Sequence, residues 1–400
     1  MQPPCTCVRY TQKEGRVRLL GRRPRLTKEE SPRFLMYWPF GTLNEVHLTK
    51  DIGALPTSFA AEGWRSTLLV GRSRINDIQW PVSVLETGIQ SRGRIRDNIV
   101  EFLSASRAVW SSDPQLCLIY ARSPVIPLVI VGYKLCSLLT RRRTSPSQFI
   151  LKMDWDGEWN HSRVLEALFP LFTILSWILF DAIIVETVCA AKALEAKCVP
   201  ASKLHVVPNG YDPRELPLKP HASAERGNII LYAGRIHPDK GVSDLLEAFI
   251  GLSQDFPSWN LEIVGPVADA NFQQVLCRRA ESAGLANRVR FYGEVPRATL
   301  LAKYRSASIF ALLSYHEGYP LSRIEALACG AAIVTSEAGC GRELEGKGAL
   351  VVPRANVPLA RCAMKSLMSS VELRNELVRR GQGSLQTWSD IMKRLIASVR

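Results

Sequence analysis

NIILYAGRIHPDKGVSDLLEAF, residues 228–249, decides how the fold is read. Within its first seven residues, IILYA (229–233) is an apolar run with no alternation. A turn-rich loop follows, and then a helical segment, VSDLLEAF. An unbroken apolar run is what a strand needs when both faces of a parallel sheet are covered. The pattern repeats downstream: LEIVG (261–265), RVRFYG (288–293), SIFALLS (308–314), AAIVTS (331–336) and ALVVP (349–353) read as strands with helical segments between them. An earlier series precedes it: RFLMYWPF (33–40), STLLVG (66–71), LCLIYA (116–121), FILKMDWDG (149–157), AIIVET (182–187) and LHVVPNG (204–210), with candidate helices at 44–63 and 124–140. Between the two series lies a polar, proline-containing stretch that reads as a linker. Two β/α series predict an α/β protein of two doubly wound domains. Ligands bind at the carboxyl ends of such strands, so two facing domains would make one cleft.

The bulk numbers agree with a globular, multi-domain chain. It has 400 residues, 46% of them hydrophobic and 22% charged, too long for one ordinary core. The formal charge is +14, and residues 1–150 hold 22 Lys/Arg against 11 Asp/Glu, so most of the excess lies early. A basic end suits an anionic surface or a phosphorylated substrate. A nucleic-acid binder is suggested by charge alone, with no aromatic-basic motif behind it. Ten cysteines are scattered without CxxC pairs, and there is no zinc pattern or HExxH. Cys117, Cys136, Cys189 and Cys329 sit in apolar runs and read as small core residues, which favours a reducing compartment. The first 30 residues are basic and polar and lack the apolar centre of a signal peptide. ALFPLFTILSWILFDAIIV (167–185) approaches the length of a membrane span, but Pro170 and Asp181 interrupt it. It reads better as a helix followed by a buried strand.

The chemistry concentrates in two loops. After SIFALLS comes HEGYPLSRIEALACG, residues 316–330. Pro320 suits the first turn of a helix, and Gly330 suits its end. Glu317 then lies in the loop at a strand's carboxyl end, and Glu325 lies one to two turns into the helix. The amides near Gly318, Leu321 and Ser322 sit at a helix N-terminus, a natural phosphate site. AGRIHPDKG (233–241) follows a strand in the same way and brings Arg235 and Lys240 to the same edge. Two carboxylates in one cleft could be an acid/base pair or could hold a polyhydroxylated ligand. Cations and amides suit a diphosphate, and carboxylates suit sugar hydroxyls. Together they suggest a sugar nucleotide.

These residues resemble a known family. EGYPLSRIEALACG is similar to the E-x7-E motif of glycosyltransferase family 4, retaining enzymes of the GT-B fold, and AGRIHPDKGVSDLLEAF resembles its phosphate-binding loop. VVPNGYD (206–212), LEIVGP, RVRFYGEVPRATLLAKYRSASIFALLSYHEGYP and AAIVTSEAGCGRELEGKGALVVP follow the family in order, strongly over about 204–353. The resemblance implies that Arg235 and Lys240 hold the donor diphosphate and stabilise its charge as it leaves. It implies that Glu317 contacts donor-sugar hydroxyls and Glu325 the ribose. Gly234, His316, Gly318, Tyr319, Pro320, Leu321 and Ser322 complete the donor site. The leaving phosphate itself would take the acceptor proton, so the glutamates are holders rather than a glycosidase pair. No metal or other cofactor is implied. The donor would be a GDP- or UDP-linked sugar.

The resemblance also implies two Rossmann-like domains facing a cleft. The expected organisation is a basic, poorly ordered tail (1–31), an acceptor-side domain (32–210), a linker (211–227), a nucleotide-sugar domain (228–370) and a helical segment (371–400) that packs back on the first domain. The first domain departs from the family. WPFGTLNE offers only Gly41 where two glycines are common, and KMDWDG stands where many members have a strand-end His. Acceptor-side candidates are therefore Gly41, Thr42, Asp154, Asp156 and Asn209. SPVIPLVIVGYKLCSLLTRRR (123–143) is apolar and ends in a basic cluster, as an interfacial helix on anionic lipid would. Peripheral membrane contact from the cytoplasmic side and a glycan or polyprenyl- or lipid-linked acceptor follow as expectations. Two rival functions remain open: a non-catalytic glycosyltransferase-like subunit, and a sugar-nucleotide epimerase of the same fold.

Overall fold

The computed structural model describes residues 31–75, 80–88, 95–120, 128–140, 147–154, 172–219 and 226–399. Most of the basic tail and Asp156 lie outside the described residues. The chain divides into two compact units, the first comprising residues 1–152, 174–183 and 399, the second 153–173, 184–398 and 400.

The first sheet has seven strands: β1 (Arg33–Leu43), β2 (Arg65–Ser73), β3 (Ser83–Glu86), β4 (Leu116–Tyr120), β5 (Gln148–Met153), β6 (Ala182–Val185) and β7 (Leu204–Val206), in the order β3-β2-β1-β4-β5-β6-β7. β1 pairs in parallel with both β2 and β4. Every residue of β4 and β6 is buried, which is why they read as continuous apolar runs. β1 runs three residues past the expected end, so Gly41 lies within the strand rather than in a turn after it. The register slips between Trp38 and Thr42, where Pro39 brings no N–H to the ladder. β3 was not foreseen, because SVLE is short and half-exposed at the sheet edge. The helix expected over 44–63 is two helices, Glu45–Leu48 and Asp51–Ala61. They pack closely at Gly53, where a Cβ would fall 2.3 Å from the Leu48 carbonyl oxygen.

The tempting apolar stretch resolves as a helix over 172–179 and then β6. Among the described residues, no helix is long and apolar enough to cross a membrane. Of the four cysteines expected inside, Cys117 and Cys329 are buried and Cys136 is half-buried. Cys189 is exposed, because the helix Val188–Glu195 turns Ala190, Ala191 and Leu194 inward and leaves that side chain outside.

The second sheet has six strands: β8 (Gly227–Ala233), β9 (Asn260–Val264), β10 (Val289–Gly293), β11 (Ala307–Leu312), β12 (Ala332–Ser336) and β13 (Ala349–Val352), in the order β10-β9-β8-β11-β12-β13. All its pairings are parallel. The chain builds outward from β8 in one direction, returns to β11 beside β8, and builds outward the other way. The fold therefore switches direction between β8 and β11, the position where doubly wound sheets bind ligands. Helices including Val242–Ile250, Leu321–Ala328 and Val357–Ser369 cover the sheet, and Leu245, Leu246, Phe249, Phe310 and Met364 fill one continuous core. The linker is partly tied down: Leu216 is buried, and the Lys219 amide donates to the Ala328 carbonyl. The last segment forms the helices Val371–Gln382 and Trp388–Ala397, the latter held by Trp388 N–H to Tyr211 O and by Arg394 Nη2 to Val206 O.

Gly241 makes the turn from β8 into its helix possible. Its φ is +64°, and a Cβ there would lie 2.0 Å from the Leu313 carbonyl oxygen. Left-handed backbone and overpacking both penalise a side chain at this point. Gly241→Ala should therefore cost about 3 kcal/mol in denaturant unfolding, whereas a cost near zero would mean the two loops are not packed as described.

Candidate active site

Because β8 and β11 are neighbours, the loops at their carboxyl ends lie side by side. The Tyr315 amide donates to the Asp239 carbonyl over 2.8 Å and ties one loop to the other. The β8 loop is shaped by Tyr232, whose hydroxyl donates to the Arg235 carbonyl over 2.7 Å, and by the short 3-10 turn Pro238–Lys240. Gly234 has no room for a side chain, since a Cβ would meet the Tyr232 hydroxyl at 2.9 Å.

Lys240 and Glu317 come together as expected from their shared edge. Lys240 Nζ lies 2.9 Å from Glu317 Oε1 and also donates to the His316 carbonyl over 3.2 Å. The Ser314 hydroxyl donates to the same carboxylate oxygen over 2.9 Å. Arg235 is different. Its side chain is 56% exposed, and its nearest acid is Asp239 at 3.9 Å. It is the cation of this loop that keeps most of its surface open to a ligand. His237 turns instead to Asp239, with Nδ1 and Oδ1 in hydrogen-bond contact.

Glu325 belongs to a separate network. It lies in the helix Leu321–Ala328, with its side chain 13% exposed, and Arg297 Nη1 lies 2.7 Å from its Oε1. Arg297 also grips Glu215 of the linker through two bonds of 2.9 Å. Burial pushes the Glu325 carboxyl up, against the pull of Arg297 and a hydrogen bond from Tyr304. Burial also acts against the Arg297 charge, but Glu215 and Glu325 outweigh it and raise that pKa. The two glutamates of the motif are thus held by different cations, an arrangement unlike two carboxyls sharing one proton-transfer task.

The helix itself begins one residue later than expected. Pro320 is the residue before the first turn and supplies no capping side chain. Leu321 and Ser322, both half-buried, form the first turn, whose amides are orphan donors suited to an anion. Its other end is as read from sequence: Gly330, with φ +87°, donates to Leu327, and Ala331 donates to Ala326. Arg323 points inward and is buried, donating to Thr335 Oγ1 and Cys340 Sγ. The backbone of residues 317–318 is cradled by Gly339, where a Cβ would fall 2.0 Å from the Glu317 carbonyl oxygen. Tyr319 is fixed through its carbonyl, which accepts from Asn209 Nδ2 at 3.3 Å.

Of the acceptor-side candidates, Asp154 and Asn209 fall in the same compact unit as these loops. A Cβ on Gly318 would lie 3.0 Å from Asp154 Oδ1, a tight contact with the end of that side chain. Gly41 and Thr42 are on β1 of the first unit. There the sequence reading missed a buried cluster at the carboxyl ends of β4 and β5. Lys152 Nζ lies 2.9 Å from Asp51 Oδ2, and the Tyr120 hydroxyl donates to the same oxygen. Burial works against the Asp51 charge, but Lys152 and Tyr120 outweigh it and hold the carboxyl below its usual range. Arg297 was also missed, although a signal existed. It opens the helix Arg297–Ser306, where the helix dipole disfavours a cation unless carboxylates compensate.

Comparison with known proteins bears on the family and the fold. Residues 214–384 match the sequence profile of the family described as glycosyl transferases group 1. These residues, less than half of the chain, are similar to that family. The resemblance to glycosyltransferase family 4 read from the motifs therefore holds, and the GT-B fold holds with it. The chain is 29% identical over 216 residues to mannosylfructose-phosphate synthase of Agrobacterium fabrum, covering 49% of this chain and 47% of that one. It is 27% identical over 198 residues to phosphatidyl-myo-inositol mannosyltransferase of Mycobacterium leprae, covering 48% and 51%. It spans about half the length of these curated relatives. Among solved structures, it superposes on HepE of Anabaena in complex with UDP and glucose with a TM-score of 0.69 at 16% identity, covering 92% of this chain and 99% of that one.

The Arg297 network carries its own test. Removing one partner of a largely buried ion pair leaves the other charge uncompensated. Arg297→Ala should cost about 2–3 kcal/mol in denaturant unfolding. The cost should shrink when Glu325→Gln is also present. Equal costs in both backgrounds would show that Arg297 and Glu325 are not coupled.

Proposed function

We propose that the protein is a retaining glycosyltransferase that moves a sugar from a nucleotide-diphosphate sugar, GDP- or UDP-linked, to a glycan or lipid-linked acceptor. The observation that carries this reading is the switch-point edge of the second sheet. There an exposed Arg235, the Lys240–Glu317 pair and an uncapped helix N-terminus occupy adjoining loops. A diphosphate presents negative charge to cations and amides, and a sugar presents hydroxyls to a carboxylate. The relatives, a mannosylfructose-phosphate synthase and a phosphatidyl-myo-inositol mannosyltransferase, support the same class of reaction.

In this mechanism Arg235 and Lys240 stabilise the charge that develops on the diphosphate as the glycosidic bond breaks. The amides of Leu321 and Ser322 receive part of the same charge. Glu317, oriented by Lys240 and Ser314, accepts hydrogen bonds from donor-sugar hydroxyls. Glu325 addresses the ribose from the helix. The departing phosphate takes the acceptor's proton on the face of attack, so configuration is retained without a protein acid/base pair. The separate cation partners of Glu317 and Glu325 support this division.

The reading is tested by thermal shift with GDP, UDP, ADP and their sugar conjugates. A ligand at 100 times its Kd adds about 2.7 kcal/mol. One base should stabilise the wild type, and Arg235→Ala and Glu325→Ala should lose most of the effect. In an assay with the stabilising donor, Arg235→Ala should lower turnover about 10²–10³-fold. A wild type that no nucleotide stabilises would sink the transferase reading and favour the non-catalytic subunit.

A further inference from the structure

The first unit carries a helix that breaks the usual rule for a surface helix. Leu128–Leu139, LVIVGYKLCSLL, holds a single charge in twelve residues. Its inner face is accounted for. Val129, Ile130 and Tyr133 are buried, and Tyr133 shares a hydrogen bond with Ser147 Oγ. At Gly132 the helix approaches its neighbour Ile95–Ser112 so closely that a Cβ would lie 2.3 Å from Ser106 Oγ. The outer face is equally apolar, and among the described residues nothing covers it. Val131, Leu135, Leu138 and Leu139 are exposed by 42%, 52%, 75% and 74%. Their spacing, i, i+4, i+7 and i+8, is that of a buried stripe. Val100 and Leu103 of the neighbouring helix are exposed as well. A contiguous apolar face of this kind marks a docking surface.

Charge identifies the occupant. From residue 114 to residue 153 the sequence contains no Asp or Glu but six cations, Arg122, Lys134, Arg141, Arg142, Arg143 and Lys152, of which Lys152 is buried against Asp51. Lys134 stands exposed on the apolar helix itself, and Arg107 stands exposed on its neighbour. In the sequence, three arginines follow the helix after Thr140. Leucines without acids, flanked by cations, match a surface that is apolar below and anionic above. That is the chemistry of an anionic lipid leaflet. A second copy of this chain fits less well, because it would bring the same positive face against itself.

We propose that the outer face of Leu128–Leu139, with the adjoining exposed face of Ile95–Ser112, docks the protein on an anionic phospholipid surface. This rests on the reading above for its purpose, delivery of the domain to a lipid-borne acceptor, but its physics is separate. Leu135, Leu138 and Leu139 enter the interface between headgroups and acyl chains. Lys134 and Arg107 meet the phosphates.

The test is sedimentation of the full chain with vesicles of phosphatidylglycerol mixed with phosphatidylcholine, and of phosphatidylcholine alone. Binding is expected to the anionic vesicles and to fall as salt rises. Leu138→Ser with Leu139→Ser, and separately Lys134→Glu, should each weaken it at least about tenfold. These side chains are exposed, and an unchanged nucleotide thermal shift in each variant would show that the fold and the donor site are intact. The inference is overturned if the wild type ignores anionic vesicles at low salt or if the variants bind as well as it does. It is also overturned if the protein forms, without lipid, a dimer that the serine variant dissolves. The two readings fail separately. Nucleotide stabilisation without vesicle binding leaves the donor chemistry standing, and vesicle binding without nucleotide stabilisation removes only the donor chemistry.

Discussion

The pairing of β8 with β11 is the constraint on which the rest of the site depends. In a doubly wound sheet each strand is followed by a helix that crosses back over one face. Where the winding reverses, the helices after two adjacent strands leave in opposite directions, and the loops between remain uncovered. Here those loops carry Arg235 and Lys240 on one side and Glu317 on the other. Their proximity is enforced by backbone. Tyr315 donates to Asp239, and Gly241 lies against Leu313 where no side chain fits. The Lys240–Glu317 ion pair is a consequence of that closeness, not its cause.

Electrostatics then differentiates residues that look alike in sequence. A carboxylate that is largely buried must find a cation or hydrogen-bond donors. Glu317 finds Lys240 and Ser314, and Glu325 finds Arg297 and Tyr304. Each is thereby fixed in place with its charge compensated, which suits holding a ligand better than exchanging protons with it. Arg235 has no such close partner among the described residues and remains largely exposed. The partition between compensated and open charges is a property of the fold, since all four residues are ordinary loop or helix residues when read one at a time.

Much of this was legible from the sequence. Strands buried on both faces announce themselves as continuous apolar runs, and the twelve strands read that way are present. β3 escaped because SVLE at an edge needs neither burial nor alternation. The loop residues were legible because strand, loop and helix occur in fixed succession, which brings their side chains to one edge. Arg297 and Glu215 were not, since nothing in one dimension says that a linker acid and a helix-opening arginine converge on Glu325. Gly318 was legible as a loop glycine, but its nearness to Asp154 is a contact across 164 positions. The break between Glu45–Leu48 and Asp51–Ala61 was likewise invisible, because an apolar helical pattern continues through it.

The unequal clarity of the two halves has a physical origin. The group 1 match covers residues 214–384 and none of the first sheet. A parallel sheet asks only for apolar side chains of suitable size at depth, and many sequences satisfy that. Phosphate and sugar recognition asks for particular groups at particular places: a glycine under a close approach, an amide without a cap, a cation left open. The second sheet must meet both demands, so its loops hold a recognisable pattern. In the first sheet the polar cluster of Asp51, Tyr120 and Lys152 is paired and buried, which satisfies the fold by itself. What distinguishes that half is instead the outer face of Leu128–Leu139, where exposed leucines lie in a stretch, residues 114–153, that contains no Asp or Glu. Core packing does not require such a surface, and solubility disfavours it, so its explanation lies in what the face meets.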